Sequence, residues 1–407
     1  MLSRFRHCGM LMCLFAVVGA GAVAGCGGAG ETTKTPVAET KPAVTVEEET
    51  PDVGEAKSDA SVDKTAPAKV EPTPPKERFA LPNIEIDRAE DREKVAIGGK
   101  EVSAEACLLD TTVSEMKHEW FSDAIRGLVA APDGALYVFD HEKKVRRYVP
   151  EAGEICKLAI DAAFGEKGIL QFPTELDRIT MLDDGTLVGL GRGKIHKYLG
   201  GKFESIDCNV DDLFPDGKLG FDHFADEIRK IDVAAECKET DWKYKGWVAP
   251  KPEKGKNPEK YNVQSVRPWG KDYLVHMTIW GSHYLGIHSP DGKLKVKLGR
   301  DRDREKNVKD GEDICWAAST EKCAAGLCLL DSNCRRLSAW DPNKGTMIDT
   351  VELSDLLGVF YPWPVAIVSA KGAMYMAVSH KEKKPENAPK DAKDVSHALI
   401  FRIKGLN

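Results

Sequence analysis

Ile125-Arg126-Gly127-Leu128-Val129-Ala130-Ala131-Pro132-Asp133-Gly134-Ala135-Leu136-Tyr137-Val138-Phe139-Asp140, followed by Val145-Arg146-Arg147-Tyr148, is the stretch that decides the fold. Two apolar runs flank a Pro-Asp-Gly turn and a third follows a polar break, a pattern that predicts short antiparallel strands. Such a small sheet cannot bury its faces alone, so it must stack on others like it. The same order returns at Arg178 to Tyr198, around Asp183-Asp184-Gly185-Thr186-Leu187-Val188, and at Ser265 to Leu298, Ile314 to Thr350 and Val365 to Ile403. The glycines before each second strand, Gly134, Gly185, Gly270, Gly326 and Gly372, are spaced by 51, 85, 56 and 46 residues. The second step approaches two ordinary ones, so a degenerate unit is expected between Gly185 and Gly270. Phe221, Phe224, Ile228 and Ile231 have helical spacing there, which leaves open whether a helix is inserted or replaces strands. Repeats of about 40–50 residues, each a small antiparallel sheet, predict an all-β fold, a β-propeller. Six blades are favoured, with five or seven as alternatives. The strand near Ala104 to Leu109, ahead of the first full unit, is placed to complete the last blade and close the ring.

Leu329-Leu330-Asp331-Ser332-Asn333-Cys334-Arg335-Arg336-Leu337-Ser338-Ala339-Trp340-Asp341-Pro342 resembles an NHL-type propeller repeat, in which an Asp-Ser-x-Asn-x-Arg turn links the second and third strands. Ala135 to Tyr148 resembles it more loosely. The resemblance implies the fold and leaves activity open, because such repeats serve scaffolds, ligand binders and enzymes.

The chain starts with the basic Met1-Leu2-Ser3-Arg4-Phe5-Arg6, continues through an apolar run, and reaches Val23-Ala24-Gly25-Cys26. This resembles a bacterial lipobox, which implies removal of residues 1–25 and acylation of Cys26. The apolar run is shorter than the ~20 residues of a membrane span. The implied partner is therefore the membrane, through the lipid, and the implied location is the cell envelope. Gly27 lacks the Asp-type retention signal, which favours the outer membrane. From residue 26 to 78 the sequence is rich in Pro, Thr and Glu with almost no large apolar side chain, so it is expected to be a disordered tether. Such a coil would hold the propeller, residues 79–407, on the order of 40 Å from the bilayer.

With a net charge of -7 over 407 residues, the chain offers no basic excess to neutralise phosphates. Nucleic acid is excluded as the expected partner. Cys8 and Cys13 leave with the signal peptide, and eight cysteines remain beyond Cys26. In an exported protein an even set predicts disulfides, although eight cysteines allow 105 pairings. Reading Asp313 to Ser319 as antiparallel to Gly326 to Asp331 brings Cys315 opposite Cys328 as a candidate bridge. Zinc is the rival for Cys315, Cys323, Cys328 and Cys334, but the run lacks the close pair typical of structural zinc.

Because strands alternate in direction, the segment leading into each first strand and the turn joining strands two and three emerge on one face. That face gathers Asp123, Glu175, Gln264, Asp313 and Trp363 from the lead-in segments, and Asp140, Arg192, Trp280 and Asp331 from the turns. Loop variation on one face of a rigid ring is where binding evolves. The plainer alternative is that the aromatics seal the core and Asp140 and Asp331 cap their turns. No Walker loop, H-E-x-x-H or G-x-S-x-G motif occurs. The favoured function is thus a lipid-tethered binding or scaffold module, taking a protein, glycan or small-molecule ligand on this face. The alternative is a metal-dependent hydrolase similar in architecture to the gluconolactonase family. That resemblance implies Ca²⁺ or another divalent metal in the channel, with Asp123, Glu175 and Asp313 as oxygen donors. The family's Glu-Gly-Pro opening is absent, so no residue carries over by motif.

Overall fold

The computed structural model describes residues 77–407 except 83, 88–91, 93, 120–123, 141–142, 225–226, 243, 245–261, 280–281, 303–304 and 383. The expected signal peptide and Cys26, nearly all of the tether, and the candidate residues Asp123 and Trp280 lie outside the described residues.

The described strands form six sheets, five of them wholly antiparallel. Their leading strands are Gly127–Ala130, Arg178–Met181, Asp212–Leu213, Asn262–Trp269, Ala317–Cys323 and Trp363–Ala370, of which the first and second, third and fourth, fifth and sixth, and sixth and first lie against each other. Six apolar layers fill the gaps, each drawing on two consecutive sheets. Tyr137 and Phe139 of the first meet Phe172 and Ile179 of the second, Val188 of the second meets Leu213 and Ile231 of the third, and Phe221 of the third meets Val266 and Tyr273 of the fourth. Leu274 and Leu285 pack on Leu327 and Leu329, Leu330 and Leu337 on Met374 and Met376, and Tyr375 and Ile400 on Leu136 and Val138. This last layer returns to the first sheet, so the stack is a closed ring. The fold is a β-propeller, held by burial of roughly 1.5–3 kcal/mol for each large apolar side chain.

Closure comes from one early segment. Lys100–Ala106 adds antiparallel to Ser396–Lys404 of the last sheet, with Phe401 opposite Ala106. Two residues later Leu108–Asp110 pairs in parallel with Glu154–Ile160 of the first sheet. Between them Cys107 forms a disulfide with Cys156, their Cα atoms 4.4 Å apart.

The interval between Gly185 and Gly270 holds a strand unit and not the helix its spacing allowed. Leu219–Phe224 and Glu227–Asp232 form a hairpin, with Phe221 opposite Lys230 and Gly220 opposite Ile231. The spacing of three falls within one strand because both faces of this sheet are buried: Ile228 packs with Phe221 against the fourth sheet and Ile231 against the second. The repeat's own signature is Pro215-Asp216-Gly217, which copies Pro132-Asp133-Gly134. Gly217 has φ +68° and donates to the Phe214 carbonyl at 2.8 Å, as Gly134 at φ +88° donates to the Ala131 carbonyl at 2.9 Å. Only glycine takes this left-handed position without strain.

The cysteine pairing corrects the expected Cys315–Cys328 bridge. Cys315 joins Cys334 and Cys328 joins Cys323; Cys208–Cys237 completes four disulfides among the described residues. The hairpin turns at Ala324-Ala325, so Cys323 pairs with Gly326 and Cys328 lies opposite Glu321. Cys315 precedes the strand altogether and meets the far turn.

Candidate functional site

Two candidate residues are turn supports. Asp140 is buried; its Oδ1 accepts the Lys144 N–H at 3.0 Å and its Oδ2 pairs with Arg146 at 2.9 Å. Asp331 is 1% exposed and accepts the backbone N–H groups of Cys315 at 2.8 Å, Trp316 at 3.0 Å and Cys334 at 3.2 Å. Burial pushes its carboxyl up from the ordinary value, while these N–H bonds and the Arg336 charge oppose that. The turn from Asp331 to Arg336 is therefore a clamp. One carboxylate and the Cys315–Cys334 disulfide fasten the lead-in of the fifth sheet to its second turn.

Three others are engaged in pairs. Glu175 forms an exposed ion pair with Arg192. Gly191 lets that lead-in lie close, because a Cβ there would stand 2.7 Å from the Glu175 carbonyl. Asp313 faces Arg302 at 2.9 Å and Arg336 at 3.3 Å, and Arg336 also donates to the Asp313 carbonyl. Among the described residues, the grouping of three potential metal ligands within 4.8 Å is Cys315, Asp331 and Cys334, whose two sulfurs are joined to each other.

Gln264 and Trp363 line two different hollows at the channel mouth. Gln264, which donates to the Thr278 hydroxyl at 3.2 Å, shares a hollow of about 170 Å³ with Arg178, Asn209 and Asp211. Arg178 pairs there with Asp212 at 2.8 Å. Deeper in, Arg267 donates to the Ala318 carbonyl at 3.0 Å, and burial together with the Arg178 charge pulls its guanidinium down to about 9.

Trp363 lines a hollow of about 490 Å³ with Trp316, Ser332 and Asn333 of the fifth sheet and Ile125 and Arg126 at the start of the first. Three consecutive sheets thus contribute to one opening. Trp316 is 39% exposed, and its ring makes T-shaped contacts with His276 and His283 at centroid distances of 5.4 and 5.2 Å. Those imidazoles hydrogen-bond to each other at 3.0 Å. Sequence reasoning missed Trp316 because the lead-in was placed at Asp310 to Asp313, four residues before the strand begins. Asn333 and Ser332 were visible in the turn that follows Asp331, but only Asp331 was singled out.

A larger hollow, about 1000 Å³, is bordered by the exposed Phe360 and Tyr361, by His380 to Glu382 and Lys384, and by Ile84, Glu85, Asp87 and Gly358. Several of its charged groups pair with one another: Lys381 and Lys384 with Asp394, and Glu382 with His397 at 3.0 Å. The channel-mouth hollow presents aromatic and neutral polar groups, with Arg126 the one charged residue of its described lining.

Fold and site together define a β-propeller whose channel mouth carries an aromatic hollow. No protein-family model matches the chain, nor does any curated protein sequence. Among solved structures, the β-propeller domain of Myceliophteria thermophila Cps50 (Swd1) is similar at 10% identity and a TM-score of 0.36, over 68% of this chain and 99% of that one.

Proposed function

We propose that this protein is a lipid-anchored module of the cell envelope that binds a ligand or partner through the channel-mouth face of its propeller. The observation that carries the reading is the Trp316–Trp363 hollow, to which the fifth, sixth and first sheets all contribute. Convergent aromatic and polar groups in a concave site are the ordinary form of a binding pocket. The sequence at Cys26 and the Pro/Thr/Glu-rich stretch after it supply the anchor and the reach. The hydrolase alternative has no comparable support, because Glu175 and Asp313 face arginines, which compete for the oxygens a hard cation would need.

Cys26→Ser should release the protein into soluble fractions and abolish palmitate labelling; a wild type that is already soluble and unlabelled removes the anchor. Immobilised protein should retain a solubilised envelope component that Trp363→Ala loses. Asp184→Ala, altered in a first-to-second-strand turn at the opposite end of the sheet, should keep it. Equal retention by both variants removes the face.

A further inference from the structure

We propose that the channel-mouth hollow is a saccharide site, in which a sugar ring lies against the Trp316 and Trp363 indoles while its hydroxyls bond the Asn333 amide and the Ser332 hydroxyl. This rests on the reading of the channel mouth as the binding face and names the ligand class.

Trp316 is not exposed for want of packing. Its backbone N–H is held by Asp331, its carbonyl accepts the Ser332 N–H at 3.0 Å, and its ring packs edge-to-face with two imidazoles. The disulfide between Cys315 and Cys334 fixes the residues immediately beside Trp316 and Asn333. A binding surface fixed before the ligand arrives loses little conformational entropy on association.

The chemistry of the lining selects the ligand. Asn333 and Ser332 border the same opening as the two indoles, and among the described lining residues the one charged group is that of Arg126. A wholly apolar ligand would strip water from the amide and hydroxyl and leave them unpaired, at about 1–3 kcal/mol each. A small cation would find indole faces but, among the described lining residues, only the like charge of Arg126. A pyranose satisfies both halves: its axial C–H groups present a weakly positive apolar face to the negative face of an indole, and its hydroxyls exchange hydrogen bonds at the edge. The volume, about 490 Å³, falls within the range of roughly 300–1,000 Å³ for small-ligand clefts.

The test is calorimetric titration of the acylated full chain, in a non-glycosidic detergent, with linear trisaccharides of N-acetylglucosamine, glucose, mannose and galactose. At least one should bind with one-to-one stoichiometry. Binding should weaken at least about tenfold, or 1.4 kcal/mol, in Trp316→Ala, in Trp363→Ala and in Asn333→Ala. Asn333→Ala should do so with an unchanged melting midpoint, which separates lost contact from lost fold. The proposal is overturned if none of the sugars binds at millimolar concentration, or if binding is indifferent to all three substitutions. Should the sugars fail while Trp363→Ala still loses the envelope component, the saccharide assignment falls and the binding face stands.

Discussion

Asp331 and Glu175 show how differently two carboxylates on the same face behave. Asp331 is buried and serves three backbone N–H groups, so its removal strands all three together with the nearby Arg336. Asp331→Ala should therefore cost about 3–5 kcal/mol of stability, the scale for breaking a buried charged network. Glu175 pairs with Arg192 in the open, both side chains about two-thirds exposed, and Glu175→Ala should change stability by less than about 1 kcal/mol. Urea unfolding of the two variants checks the contrast; equal losses would contradict it. Asp313, a lead-in residue like Glu175, does not share that independence. Its contacts with Arg336, whose side chain is 8% exposed, place it nearer to Asp331 in kind.

Among the elements, the hairpin of Asp272–Ile279 and Ser282–His288 couples the site to pH. Burial, then the His283 and Arg267 charges, hold His276 down at about 3 against an ordinary imidazole value of 6.5, and burial lowers His283 as well. In the unfolded chain both titrate near the ordinary value, so below about pH 6.5 the unfolded state binds more protons than the folded one. Stability should fall as pH drops from about 6.5 toward 3 and be unaffected by this pair above that window. The urea midpoint of the wild type should decline between pH 7 and 4 more steeply than that of His276→Gln; parallel declines would contradict the assignment. Legibility in the sequence also divides by element. Strands bounded by Asp-Gly turns were readable, since a left-handed glycine and a period-two pattern are local signals. The third sheet was obscured because its hairpin imitates helical spacing, although Pro215-Asp216-Gly217 repeated the first unit's turn. Cysteine partners depended on where one turn fell, and Trp316 on where one strand began. Neither is set by the residues nearby. Asp331 was readable as a turn cap, but its grip on Trp316 spans 15 residues and needs the fold.

For the whole molecule, the ring is closed by a segment near the start of the propeller, and Cys107–Cys156 ties that segment to the first sheet across 49 residues of sequence. Replacing both cysteines by serine should lower stability by about 2–4 kcal/mol. Amide exchange should accelerate first in Lys100–Asp110, and unchanged protection there would show that strand pairing alone closes the ring. Closure matters to function because the aromatic hollow lies where the fifth, sixth and first sheets meet, next to the seam. The central claim is that the channel mouth, and not the opposite face, is the face that binds. Its most direct measurement is photocrosslinking in cells from a photoreactive side chain placed at Asn333, compared with one at Lys371 in a turn at the opposite end. Adducts from position 333 and none from position 371 are the expected result; adducts from 371 alone, or from neither, would contradict it.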